Sequence, residues 1–244
     1  MKISIITVAF NAAETIAQTI ESVLHQTKAP YEYIIQDGCS DDDTVSIAQG
    51  YADDFAAAGI AYHIVSEKDE GIYDAMNKGI AKATGELIGM INADDWYEPT
   101  ALERVDEAAR DGNCDLLYAD LRMWKDETHS FIKHAKNRRY ATSRDWNHPT
   151  TFITKAMYEK YRYRNETIHD DYDLILRMKK DGARIRVIRE VLANFRMNGI
   201  SHERSLKSAM QRAKIKYGIY RQNGYAPFYA IECYGVELAK LIIG

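Results

Sequence analysis

The sequence predicts an α/β fold: a mostly parallel sheet flanked by helices, with a C-terminal helical extension. Short β-branched runs alternate with amphipathic stretches through the first half of the chain, and strands separated by helices of this length form right-handed βαβ units. The run Leu87 to Ile91 is continuously apolar, as in a strand covered on both faces of a parallel sheet. Beyond residue 203 basic and apolar residues take up helical spacing.

In order, Ile3 to Phe10 reads as the first strand, and Glu14 to His25 as the helix after it. Tyr31 to Gln36 is a second strand ending in Asp37-Gly38-Cys39-Ser40-Asp41. Ser40 is suited to cap the next helix, and Asp41 to Asp43 put negative charge at its positive end. Tyr62 to Ser66 is a third strand, and Ile72 to Ala83 the helix leading through Gly85 to the strand at Leu87. A helix begins near Pro99, and Asp115 to Leu121 is another buried strand. Residues 122–145 are polar and basic, with Lys133, His134, Lys136, Arg138, Arg139 and Arg144. They read either as a solvated loop or β-excursion, or as a flap meeting an anionic acceptor. Ser205 to Tyr220 and Phe228 to Ile243 read as helices broken at Asn223-Gly224 and Pro227.

Two acidic clusters point to chemistry. Asp94 and Asp95 end the strand at Leu87 to Ile91, where α/β sheets bind ligands. Adjacent carboxylates repel unless a cation lies between them, and Mg²⁺ or Mn²⁺ held by one or two carboxylates usually also meets substrate phosphates. The plainer reading is a solvated acidic turn. Asp37 lies at a neighbouring strand end, so three carboxylates converge on one sheet edge. The second cluster is Asp170, Asp171 and Asp173, before the helical stripe Leu174, Ile175 and Met178. Acids there offset the helix dipole without any catalytic role. Three in four positions exceed that need, and crowding would raise one pKa toward the range a general base uses. Lys68 and Lys78 flank Asp69-Glu70-Gly71 and are either solvated or phosphate partners.

Five stretches in order, Ser4 to Asn11, Gln36 to Thr44, Asp69 to Gly79, Asn92 to Asp95 and His169 to Leu174, resemble the family 2 glycosyltransferases of the GT-A fold. The resemblance covers about residues 1–200 and is of the bacterial polysaccharide-biosynthesis type. It implies an inverting transfer of a sugar from a nucleotide-diphosphate donor, UDP by preference, to a hydroxyl of a glycan or lipid-linked saccharide. It further implies that Thr7 and Asp37 contact the nucleobase, Asp94 the ribose and Asp95 the metal, with Asp171 as base. Asp170 or Asp173 remain alternatives for that role. Many relatives begin the metal motif with Asp where this chain has Asn92, which bears on metal affinity. His148 matches a His-centred stretch beside the acceptor site, and His202 and Arg204 match a loop that closes over the diphosphate. The expected organisation is a catalytic domain over 1–203, with a nucleotide-sugar half to residue 121 and an acceptor half after it, then an extension over 204–244. That extension packs on the domain, forms a homodimer or makes peripheral membrane contact.

Composition limits the alternatives. A chain of 244 residues with net charge −4 carries no basic signature for nucleic acid. Three cysteines at unpatterned spacing argue for a reducing compartment and against a disulfide framework or zinc site. The N-terminus opens into a strand instead of a signal peptide, and no apolar run reaches the ~20 residues of a membrane span. A cytoplasmic protein, free or at the inner face of the membrane, is expected. A sugar nucleotidyltransferase is the first rival, but it would want a Gly-rich basic loop where Ala9-Phe10-Asn11-Ala12-Ala13 stands. A non-catalytic nucleotide-sugar binder is the second, and it would not need the Asp170 to Asp173 cluster.

Overall fold

The computed structural model describes residues 1–197 and 205–243. One sheet runs through the molecule, in the order β3-β2-β1-β4-β8-β6-β9-β5, with β7 on the side of β6. Its first half is built from β1 (Ile3–Ala9), β2 (Glu32–Asp37), β3 (Ala61–Ser66) and β4 (Leu87–Asn92), all paired in parallel. Every residue of β1 and β2 is buried, because side chains leave a strand alternately and both faces are covered. Ile3, Ile5, Tyr33, Ile35, Leu87 and Ile91 pack on one face; Ile6, Ile34, Ile88 and Met90 pack on the other. Burial of each such side chain contributes ~1.5–3 kcal/mol.

The helices follow from the same alternation. α1 (Ile16–Leu24) buries Ile16, Thr19, Ile20 and Val23, a spacing that puts one stripe on the sheet. Thr19 Oγ1 also donates to the carbonyl of Asp95 at 2.6 Å, so α1 holds the turn after β4. Between β2 and β3 run α2 (Thr44–Gly50) and α3 (Ala52–Ala57). α4 (Ile72–Lys82) lies closely on β1 at Gly79, where a Cβ would meet Ile6 at 2.6 Å. Ser40 is not a cap. α2 begins later, at Thr44, and Ser40 instead bonds within its own turn.

The second half is mixed in direction. After β5 (Trp96–Tyr97) and α5 (Ala101–Ala109), β6 (Leu116–Trp124) pairs in parallel with β9 (Ile185–Arg196), with an irregularity around Asp120. The antiparallel ladders are short: β7 (Ser130–Lys133) on β6, β8 (Phe152–Thr154) between β4 and β6, and β5 on β9. The basic stretch 122–145 is therefore a β-excursion followed by a pinned return. Tyr118 Oη donates to the Lys136 carbonyl at 2.9 Å, and Lys179 Nζ donates to Asn137 Oδ1 at 2.9 Å. α6 (Lys155–Lys160) and α7 (Asp170–Lys180) follow, before β9.

α8 (Leu206–Gln222) and α9 (Tyr229–Ile243) pack on each other and on α7. Ser205 caps α8, its hydroxyl accepting from the Ser208 amide at 3.0 Å. Tyr220, Tyr229 and Cys233 enter the core cluster that contains Tyr172 and Leu174. Two residues of the expected basic face, Arg212 and Lys216, instead pair internally with buried Glu237 at 2.9 and 2.7 Å. No helix among the described residues is long and apolar enough to cross a membrane.

Candidate active site

The carboxyl ends of β1, β2 and β4 carry the first group of predicted residues, and their burial separates them. Thr7 is fully buried, with its hydroxyl 2.9 Å from Tyr33 Oη. It supports the sheet from within and is not open to a nucleobase. Asp37 is also fully buried. Its Oδ2 accepts from the Ser40 amide at 3.0 Å and from Ser66 Oγ at 2.6 Å, and its Oδ1 accepts from Ser40 Oγ at 2.5 Å. This carboxylate organises its own turn.

The surface of that turn is made by residues that were not singled out. Phe10 is largely exposed beside Gly38. A Cβ on Gly38 would stand 2.5 Å from Asp69 Oδ2, so any larger residue there would displace the Asp69 carboxylate. Asn11 and Cys39 adopt left-handed backbone (φ 48° and 65°), a conformation that stores strain at non-glycine positions. They are stitched together: the Asn11 amide donates to Ser40 Oγ at 2.8 Å, and Asn11 Oδ1 accepts from the Asp41 amide at 3.0 Å. Asp69 lay within a recognised stretch, but nothing in its spacing marked its proximity to Gly38. Lys68 is exposed. Lys78 is committed to Asp74 at 2.8 Å and to the Lys68 carbonyl at 2.7 Å, the Asp74 bond raising its pKa.

The acidic pair at the end of β4 divides in the same way. Asp95 is completely buried, and Asp94 is half-buried. Burial, and then the Asp94 charge, push the Asp95 carboxyl well above the usual range; burial also raises Asp94. Arg196 partly offsets both. Its amide donates to Asp95 Oδ1 at 3.2 Å, its Nη1 donates to the Asp94 carbonyl at 2.6 Å, and its guanidinium lies 4.7 Å over the Trp96 ring. Arg196 was missed because it closes β9, about a hundred residues from the motif it serves. Asp95 Oδ2 and Asn92 Oδ1 are buried without a hydrogen-bond partner. Unsatisfied oxygens beside a half-exposed carboxylate fit a hard divalent cation that also takes substrate oxygens. Among the described residues no three His, Cys, Asp or Glu side chains converge into a fuller cage.

The second group meets at α7. A cavity of about 140 Å³ is lined by Ile72, Tyr73, Asn92, His148 and Asp171, with Met76, Pro149 and Phe195 completing it. It joins the end of β4 to the start of α7. Tyr73 Oη donates to Asp171 Oδ1 at 3.0 Å, and the Tyr172 amide donates to the same oxygen at 2.7 Å. Oδ2 is used by neither bond. Burial pushes the His148 imidazole below its ordinary pKa, against the pull of Asp171, and its ring lies edge-on to Trp146 at 5.7 Å.

The other two acids meet protein partners. Asp170 is buried and accepts from the Glu166 amide at 2.6 Å, the Thr167 amide at 3.0 Å and Thr167 Oγ1 at 2.6 Å. Asp173 is buried against Arg177 at 2.8 Å and Arg164 at 3.5 Å, and accepts from Asn223 Nδ2 at 2.6 Å. The three carboxylates point to three different partner sets, so the expected crowding within the cluster is absent. His202 and Arg204 lie outside the described residues.

A parallel α/β half that carries an acidic pair at one strand end, joined to a mixed half of short antiparallel ladders, is the GT-A class of fold. The chain belongs to glycosyl transferase family 2, whose family model matches residues 4–189. Family membership favours sugar transfer over the nucleotidyltransferase reading. The chain is 36% identical over 124 residues to a PGL/p-HBAD biosynthesis glycosyltransferase of Mycobacterium bovis, covering 49% of this chain and 46% of that one. It is 30% identical over 188 residues to chondroitin synthase of Escherichia coli, covering 74% of this chain and 27% of that one. The chain thus spans less than half the length of either relative. In structure it is similar to S. aureus TarS in complex with UDP (TM-score 0.67, 15% identity, 100% of this chain and 72% of that one). It is also similar to the mannosyltransferase PcManGT of Pyrobaculum calidifontis in complex with GDP-Man and Mn²⁺ (TM-score 0.69, 16% identity, 100% of this chain and 75% of that one).

Proposed function

We propose that this glycosyltransferase moves a sugar from a UDP-sugar to a hydroxyl of a glycan or lipid-linked saccharide, with inversion, and that Asp171 is the general base. The observation that carries the proposal is the cavity shared by Asp171, His148 and Asn92, which puts one open carboxylate oxygen next to the end of β4. Tyr73 and the Tyr172 amide hold Asp171 by Oδ1, so Oδ2 is the atom that takes the acceptor proton. His148, held neutral by burial, can accept or donate a hydrogen bond without bringing a cation beside the base.

The donor binds across the ends of β1, β2 and β4. Phe10 offers a flat apolar surface to a nucleobase, and Asp69 an acceptor for its N–H; Thr7 and Asp37 support that surface from beneath. Of the acidic pair we assign the donor-facing role to Asp94, because Asp95 is inaccessible and tied to the Arg196 amide. A divalent ion, Mn²⁺ or Mg²⁺, would be held by Asp94 with help from the unsatisfied oxygens of Asn92 and Asp95. When bound it acts as a Lewis acid, neutralising charge on the departing diphosphate. Arg196 keeps a second positive charge at the same place, held by Trp96 and the Asp94 carbonyl.

Calorimetry with UDP, GDP and CDP, each with Mn²⁺ and with EDTA, tests the donor reading. UDP should bind most tightly and lose affinity in EDTA. Preference for CDP would overturn the base assignment, and undiminished affinity in EDTA would overturn the metal.

A further inference from the structure

We infer that the α8–α9 hairpin, with the loop 136–144 beside it, is a docking surface for an anionic lipid bilayer. Phe228 (53% exposed), Ile231 (78%) and Leu238 (42%) stand at the spacing of one helical stripe. Exposed Gly235 lies between the last two, and Tyr229, Cys233 and Glu237 on the buried side. α8 adds exposed Leu206 and Met210, and presents Lys207, Lys214 and Arg221 to solvent at heptad spacing. The acids between residues 205 and 239 are Glu232 and Glu237, and neither is exposed.

The loop continues this surface. Tyr140 stacks on Phe228 at 5.6 Å and on Tyr229 at 4.5 Å, and the Ala141 amide donates to Tyr229 Oη at 3.2 Å. Arg138, Arg139 and Arg144 are exposed around it, Arg138 standing 3.7 Å from buried Asp145. Positive charge is thus concentrated here in a chain whose net charge is −4.

Charge decides between the two occupants such a surface could take. A second copy meeting this face about a two-fold axis would set basic residues against basic residues, with no exposed acid on the hairpin to pair them. An anionic bilayer offers phosphates to the basic side chains and an acyl boundary to the apolar stripe. The inference does not depend on the catalytic reading, since lipid binding is measured without turnover.

Flotation with phosphatidylcholine vesicles, with and without phosphatidylglycerol, is the experiment. The chain should float only with anionic vesicles, and less as salt rises. Lys214→Ala with Arg221→Ala should lower the partition coefficient about fivefold per charge removed, and Ile231→Ser with Leu238→Ser by about tenfold or more. Both variants alter exposed positions, so unchanged melting and UDP binding would separate lost docking from lost folding. No flotation, or equal flotation with neutral vesicles, would overturn the inference. So would a dimer in sedimentation velocity that Ile231→Ser with Leu238→Ser dissolves while wild type ignores vesicles.

Discussion

Asp94 and Asp95 are neighbours in sequence but not in environment, and that difference governs what each does. Asp94 is half-buried; Asp95 is sealed beneath it, with one oxygen on the Arg196 amide and the other unsatisfied. Their pKa values lie above the ordinary carboxylate range, through burial first. Between the ordinary carboxylate pKa and the raised folded values the folded chain therefore holds protons here that the unfolded chain has released, so the cost of burying this pair falls as pH falls through that window. A bound cation should reverse that trend, because it favours the ionised pair. Asp94→Ala is expected to abolish Mn²⁺-dependent UDP binding in calorimetry, whereas Asp95→Asn, which removes one helping oxygen and leaves Asp94 in place, should weaken it only in part and flatten the pH dependence of the melting temperature. Metal dependence that survives Asp94→Ala but not Asp95→Asn would return the metal to Asp95.

Two elements depend on contacts that no local pattern announces. At the start of β2, Glu32 accepts from Ser4 Oγ and the Thr84 amide, both at 2.5 Å, and from Thr84 Oγ1 at 3.0 Å. Burial opposes its ionised form, but these bonds outweigh burial and lower its pKa from 4.5. The stabilisation is present above that value and is lost as pH falls through the folded pKa. Glu32→Gln should therefore cost ~1.5–3 kcal/mol near neutrality, the range for bonds to a charged group. In denaturant melts the difference from wild type should close below about pH 4.5. A gap independent of pH would show that the ionised form is not what stabilises. At α7, Asn223 Nδ2 bonds Asp173, and Tyr220 Oη lies 2.7 Å from Tyr172 Oη. Asn223→Ala leaves a buried carboxylate short of a donor and should cost ~1–3 kcal/mol, without changing UDP affinity. Loosened UDP binding would mean that the C-terminal helices also hold the donor half.

Over the whole molecule, the parallel half was legible because each strand is a sustained β-branched run and each helix repeats its apolar stripe. β5, β7 and β8 span two to four residues, too short for period to register, so of the antiparallel part of the sheet only the excursion within 122–145 was anticipated, as one of several readings. Among site residues, chemical type was readable and accessibility was not. Asp37, Asp170 and Asp173 are buried among hydrogen-bond partners that their spacing in the sequence does not reveal. Arg196 and Asn223 act through tertiary contacts that spacing cannot encode. The proposed function divides the work along the same line: strand ends of the first half would face the donor, and α7 of the second the acceptor.

That division makes Asp171→Asn the most direct test. The variant keeps the shape of the side chain and an oxygen for Tyr73 and the Tyr172 amide, but cannot take a proton at Oδ2. Sugar transfer to acceptor should fall ~10²–10⁴-fold, the range for a lost general base, while UDP and metal affinity and the melting temperature stay near wild type. Transfer at an ordinary rate by a normally folded Asp171→Asn enzyme would contradict the account and remove the base from α7.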